Sequence, residues 1–383
     1  MMPREYHDGR QDGLIPVVSL NPDEIHSFSD LLQAMGRTSF GGRRLGEAFD
    51  VMKEMVLDPD CYIVATFSGA MTVAKMGTIL CRMIDHGMIQ CVISTGALMA
   101  HGFSESIGCT HYKVNPKVSD SELYARGYNR VHDTLEMEAN LNSVEQVVSA
   151  TLRRIPKDAV LYSEYLTREL GRTLAENYPG DGVLKSAYLK NVPVYIPAFT
   201  DSELGLDVST WAIRAGLRDR RRYGRKNKPK TNLPECMSLV PAFNPYLDLN
   251  SYTENVMRAK TLGIFTIGGG VPRNWAQQAG PYIDITNNRV GTDFAPPRFK
   301  YGVRICPEPD YWGGLSGCTY SEGVSWGKFV APEEGGRFAE VLSDATLVWP
   351  LLIKGLLEVL EKEPRKIEKN NAVDSRKREA VRD

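Results

Sequence analysis

The segment Glu322-Gly323-Val324-Ser325-Trp326-Gly327-Lys328 puts a lysine beside a tryptophan and a carboxylate, between glycines. A lysine is a poor nucleophile at neutral pH, because its unperturbed pKa is about 10.4. Burial lowers that pKa and frees the amine for imine chemistry. An aromatic face beside it can hold a ligand cation, and a nearby acid can hold a second ammonium group. The segment therefore reads as a site that handles amines and bonds one as a Schiff base. Lys328 is the candidate nucleophile, Glu322 an ammonium anchor and Trp326 a wall of the amine channel. A surface turn with a solvated lysine has the same local sequence, so the surroundings decide.

Those surroundings are a series of apolar runs with small residues at their ends. Cys61 to Phe67 is a continuous β-rich run that stops at Ser68-Gly69-Ala70. A helical pattern follows from Met71 to His86, and a second apolar run, Met88 to Ile93, stops at Ser94-Thr95-Gly96. Continuous apolar strands separated by a helix indicate a mostly parallel sheet covered on both faces. Further strands are expected at Val192–Ile196, Leu262–Ile267 and Tyr301–Ile305. Helices are expected around Ser119–Glu138, Ser143–Arg154, Ser163–Asn177 and Thr346–Leu360.

The strand ends could hold a phosphate-bearing ligand. Ligands of open parallel sheets bind outside the carboxyl ends of the strands. Glycines allow a phosphate to approach the backbone, and a helix N-terminus supplies N–H donors. Gly268-Gly269-Gly270, followed by Pro272 in the first turn of a helix, has this form. The acid of Asp201 could take ribose hydroxyls. The same glycines would also serve simple tight turns, and no GxGxxG with a following acid is present. Spacing alone leaves both readings open.

Composition narrows the field. The 383 residues are 42% hydrophobic and 24% charged with a net charge of -1, so no global attraction to nucleic acid or acidic membranes is expected. No apolar run approaches the ~20 residues of a membrane span. The polar start, Met1 to Gln11, leads us to expect a cytoplasmic protein. Seven cysteines without a CxxC pair, and six histidines without HExxH, point away from disulfides, structural zinc and a metal enzyme. Residues 1–363 are expected to form a single domain and 364–383 a charged, flexible tail. The basic run Arg218 to Lys230 fits a solvated loop or subunit contact better than an RNA site.

Taken together, these blocks resemble the deoxyhypusine synthase family. The lysine segment is the strongest match. Ser343-Asp344-Ala345-Thr346-Leu347-Val348-Trp349-Pro350, Gly268 to Val271, Pro197 to Asp201 and Ser94-Thr95-Gly96 fall in the family's order. The similarity runs from about Tyr62 to Leu360. It implies a Rossmann-like open α/β fold, assembled as a homotetramer with active sites between subunits. It also implies NAD-dependent transfer of an aminobutyl group from spermidine through a lysine imine. NAD would lie against Ser68, Gly69, Ser94, Thr95, Gly96, Asp201, Gly268, Gly269, Gly270, Asp344 and Ala345.

Several positions depart from the family pattern. Its paired histidines after the glycine loop align with Asn274 and Trp275, leaving Trp275 as a substrate-facing candidate. An acid upstream of the lysine segment aligns with Leu315, and the acid pair near the first cofactor loop aligns with Ala100 and His101. Glu203, Asp207 and Asp310 are possible replacement carboxylates. Arg126 to Thr134 resembles a divergent, bacterial-type branch. In that branch the acceptor need not be a protein lysine, and putrescine would give homospermidine by the same chemistry. An amine-oxidising NAD enzyme without transfer, and a non-catalytic RNA-binding protein, are the competing readings.

Overall fold

The computed structural model describes residues 6–156, 158–222, 242–314 and 318–365, with side chains described except at 218–222. Nine strands are described: β1 (Cys61–Phe67), β2 (Cys91–Ser94), β3 (Tyr112–Lys113), β4 (Tyr128–Val131), β5 (Thr134–Met137), β6 (Val194–Tyr195), β7 (Thr261–Ile267), β8 (Tyr301–Ile305) and β9 (Arg337–Val341). Six form one sheet in the order β6-β2-β1-β7-β8-β9. Every pairing in it is parallel.

The apolar strand runs are explained by burial on both faces. Along β1, Cys61, Ile63, Ala65 and Phe67 belong to one core, whereas Tyr62 and Val64 belong to the other. β7 alternates in the same way, with Phe265 and Ile267 on the first side and Leu262 and Ile264 on the second. Such strands need helices above and below. The first face is covered by Phe40–Leu57, Gly77–Asp85 and Ala345–Lys362, and the second by Pro245–Arg258 and Gly270–Gln277. This is the mostly parallel, Rossmann-like α/β architecture expected from the sequence.

The strand order has a functional consequence. From β1 the chain steps outward through β2 to β6, then returns to the other side of β1 and steps outward through β7, β8 and β9. The direction of winding reverses between β1 and β7, and the crevice at such a switch point is where open sheets bind ligands.

Two expected helices differ from what is observed. The stretch Ser119–Glu138 holds only a short helix, Asp120–Ala125, followed by the β4–β5 hairpin. Gly127 at φ 71° stops the helix, and His132 at φ 54° with Asp133 makes a two-residue turn that pairs Val131 with Thr134. β3 adds to β5, giving a separate antiparallel sheet in the order β3-β5-β4. The stretch Met71–His86 is helical only over Gly77–Asp85, because Lys75 adopts φ 63° in the turn before it. Arg365, assigned by sequence to the tail, donates to the carbonyls of Gly87 (2.5 Å) and Cys61 (2.6 Å). The remaining tail (366–383), Leu315, and the basic run from 223 onward lie outside the described residues.

Candidate active site at the strand ends

Lys328 is turned inward by its own segment. The helix Tyr320–Ser325 starts at Thr319, whose hydroxyl accepts the Glu322 N–H at 3.0 Å. Gly323 has no side chain because a Cβ there would meet the Phe329 ring at 2.4 Å. Gly327 at φ 68° reverses the chain, a conformation that glycine adopts without strain. The backbone of Lys328 is then held on both sides: its N–H donates to Gly323 (3.0 Å), and its carbonyl accepts from Phe299 (3.0 Å).

Lys328 is largely withdrawn from water. The residue is 7% exposed. Its Nζ donates to Asn274 Oδ1 at 3.4 Å and stands 5.8 Å from the centre of the Trp326 ring. Burial holds its pKa below the usual lysine value, and the Arg273 guanidinium pushes the same way, against the raising effects of Cys318 and Glu322. Arg273 is itself buried, donates to the Cys318 carbonyl at 3.0 Å and lies 5.7 Å over the Tyr320 ring. The lysine is thus shifted toward its neutral form by burial and a neighbouring cation. Glu322 and Trp326 are on the open side, Trp326 being 62% exposed.

Asn274 reaches the lysine from the helix Gly270–Gln277, which begins at the triple glycine. The next residue, Trp275, faces the second core instead, with ring centres 4.9 Å from Tyr252 and 5.6 Å from Tyr195. The helix therefore brings Asn274, and not the Trp275 ring, to the amine.

The proposed cofactor residues line one edge of the sheet. Ser68 and Gly69 follow β1, Ser94, Thr95 and Gly96 follow β2, Asp201 lies beyond β6, Gly268 to Gly270 follow β7, and Asp344 and Ala345 lie beyond β9. The Ser68 hydroxyl donates to the Gly269 carbonyl, which closes the reversal point between β1 and β7. Thr95 Oγ1 donates to the Gly69 carbonyl at 2.6 Å and accepts from Leu98 N–H at 3.4 Å as the cap of the helix Gly96–Ser106. Gly96 lies so close to the Asp201-Ser202 turn that a Cβ would meet Ser202 Cβ at 2.3 Å. Asp344 accepts from Thr346 N–H at 2.7 Å, so its carboxylate caps the helix Ala345–Lys362.

These residues fit a dinucleotide. Gly69 has φ 72° and open space where a side chain would stand, and Gly268 and Gly270 have φ 79° and 59°. No side chain caps the helix Gly270–Gln277, and a helix N-terminus that follows a strand end is a place where an anion is held. Sequence reading missed what supports this loop from below. Arg304, fully buried on β8, donates to the Gly268 carbonyl at 2.8 Å and pairs with Glu340 on β9 at 2.7 Å. The available signal was a charged residue inside the apolar run Tyr301–Ile305, which demands a partner.

The replacement carboxylates are spread out. Asp310 lines a cavity of about 1030 Å³ with Tyr320, Glu340 and Ser343, beside the lysine segment. Asp207, on the helix Glu203–Arg222, is pushed up to about 7 by burial and by Glu145 and Glu203; Arg214 is its opposing cation. His101 lies in a buried cluster with His111 and Glu136.

The deoxyhypusine synthase family model matches residues 30–225 and 235–356. The chain is 30% identical over 335 residues to "Probable deoxyhypusine synthase 2" of Methanosarcina acetivorans, covering 87% of each chain. It is also 30% identical over 326 residues to a protein of the same name from Archaeoglobus fulgidus, covering 85% of this chain and 96% of the other. A crystal structure reported from Entamoeba histolytica under the name deoxyhypusine synthase shares the fold, with a TM-score of 0.54 and 12% identity, over 92% of this chain and 99% of that one. These relatives by sequence are archaeal, where the Arg126–Thr134 stretch led us to expect a bacterial-type branch. The chain belongs to the deoxyhypusine synthase family.

Proposed function

We propose that the protein is an NAD-dependent enzyme that moves an aminobutyl group from spermidine, or a related polyamine, to an amine acceptor through an imine on Lys328. The observation that carries this reading is a buried lysine, shifted toward its neutral form, whose amine meets Asn274 on the helix that starts at the glycine loop. Bound NAD supplies a hydride acceptor and later returns the hydride.

In this reading the chain's own residues take these roles. The neutral amine of Lys328 adds to the carbon of the oxidised donor. The bond from that carbon to the departing diaminopropane nitrogen breaks, and the four-carbon unit stays on Lys328 as an imine. An acceptor amine adds to the same carbon and displaces Lys328. Asn274 Oδ1 orients the amine without charging it, which a carboxylate at that place would do. Trp326 offers its face to the passing ammonium chain, and Glu322 anchors the far end. The acceptor is a protein lysine or a small diamine such as putrescine. Active sites between paired subunits of a homotetramer fit the exposed Trp326.

The test is a product assay. Purified protein is incubated with NAD, spermidine and putrescine, and the amines are read by mass spectrometry. Diaminopropane together with a longer polyamine is expected, and a protein-lysine acceptor is tested by adding candidate acceptor protein. Net accumulation of NADH without a transfer product would instead mean oxidation alone. Absence of any amine product, with no change on Lys328→Arg, would falsify the proposal.

A further inference from the structure

Three side chains from separate elements meet in the buried space between the helix Gly96–Ser106 and the small antiparallel sheet. His101 is on that helix, His111 precedes β3, and Glu136 is on β5. One ligand atom from each lies within 4.8 Å of the other two. The side chains are 9%, 0% and 1% exposed respectively. Glu136 Oε2 lies 2.5 Å from His111 Nε2 and 3.1 Å from His101 Nδ1. Its other oxygen, Oε1, accepts from Asn140 Nδ2 at 2.6 Å and from the Met137 N–H at 3.1 Å.

The carboxylate is therefore fixed by its outer oxygen and aims the inner one at two imidazole nitrogens. An ordered outer partner of this kind is typical of a metal-ligating carboxylate. Two imidazoles and a carboxylate suit a borderline first-row cation. A carboxylate this deeply buried also needs positive charge close by. Lys75 brings a cation to the far side of His111, its Nζ lying 2.7 Å from His111 Nδ1 and 2.8 Å from Glu105 Oε1.

We propose that His101 Nδ1, His111 Nε2 and Glu136 Oε2 bind one divalent first-row cation, with Zn²⁺ fitting the donor set best. Three protein donors leave one position of a tetrahedron for water. All three ligands are buried, so the ion is enclosed and joins the elements that carry them. It ties the β3-β5-β4 sheet to the helix whose first residue, Gly96, stands at the strand-end crevice. With a cation on Nε2, His111 carries its proton on Nδ1, so Lys75 must leave that nitrogen and keep Glu105. The Lys75 side chain is 45% exposed and able to turn. The inference does not depend on the proposed transfer chemistry.

The test uses the full-length protein, purified without chelator or histidine tag. Elemental analysis should find about one zinc per chain, retained through gel filtration, as expected for a folded structural site. After stripping with a strong chelator, added Zn²⁺ should raise the melting temperature. Added Co²⁺ should give the visible bands of a four-coordinate ion. Glu136→Gln and His111→Asn should each weaken Zn²⁺ binding by at least about 100-fold, the upper end of what losing even a supporting partner costs. His132→Asn, at the exposed hairpin turn, should bind as the parent does. If the stripped parent protein takes up no Co²⁺ and its melting temperature ignores Zn²⁺, the cluster is a hydrogen-bonded one charged only by protons, and the proposal is overturned. That outcome needs no variant to fold. Equal Zn²⁺ binding by parent and Glu136→Gln would overturn it as well.

Discussion

The chemistry at residue scale is the protonation state of Lys328. Its folded pKa lies below the free-chain value, so the amine turns neutral at a pH where an exposed lysine is still charged. Transfer activity that needs the free amine should rise with pH through that lowered value. Asn274→Asp would set a carboxylate where the amide oxygen now stands 3.4 Å from Nζ. The rising limb of the pH–rate profile is then expected to move to higher pH. Linkage has a matching sign. Between the lowered pKa and about 10.4 the unfolded chain binds more protons at this lysine, so stability should rise with pH there. Lys328→Met removes the cost of burying a charge. It should raise the melting temperature at neutral pH while lowering transfer by at least about a thousand-fold, as loss of a covalent catalyst does. The lysine segment was legible because its residue types are rare together. Arg273 and Arg304 were not, since their roles depend on an amine and a carbonyl that only the fold brings near.

At the scale of elements, what could be read were long apolar runs ending in small residues. β1, β7 and β8 fall within a residue of the expected limits, because burial on both faces keeps these runs largely apolar, Arg304 being the charged exception. β9 was missed: Arg337-Phe338-Ala339-Glu340-Val341 is an edge strand whose polar residues include the partner of Arg304. The β4–β5 hairpin was read as helix because Tyr128, Val131 and Leu135 have the spacing of one helical face, while Gly127 and His132 set the turns. The cluster of His101, His111 and Glu136 was invisible for a related reason: its members are joined through that hairpin, not through a short spacing. Close packing gives a testable contrast between two glycines. Gly96→Ala would push a Cβ against Ser202 at 2.3 Å. It should cost about 1–3 kcal/mol in denaturant titration and also weaken NAD binding measured by calorimetry. Gly46→Ala would press on the Gly36 amide nitrogen at 2.1 Å, where the helices Phe28–Gly36 and Phe40–Leu57 cross. A comparable loss of stability is expected there, with NAD affinity unchanged. Equal effects on NAD affinity would detach Gly96 from the cofactor edge.

For the whole molecule, the order β6-β2-β1-β7-β8-β9 turns scattered loops into one edge. The order could not be read from the apolar runs, since crossovers are set by which helix covers which face. Yet the expected cofactor residues all lie beyond carboxyl ends of its parallel strands. Tyr311, Trp312 and Trp326 are 81%, 68% and 62% exposed on the single chain. Such aromatic exposure near a site suits a surface covered by another subunit. Light scattering after gel filtration should give four times the chain mass, and a monomeric mass would remove the shared-site element of the proposal.

The most direct test is to trap the covalent step. Borohydride is added while the enzyme turns over spermidine with NAD, and the protein is then digested and mapped by mass spectrometry. A reduced four-carbon amine adduct on the peptide carrying Lys328 is expected, absent without NAD. An unmodified Lys328 peptide under conditions that still form product would contradict covalent transfer through this residue.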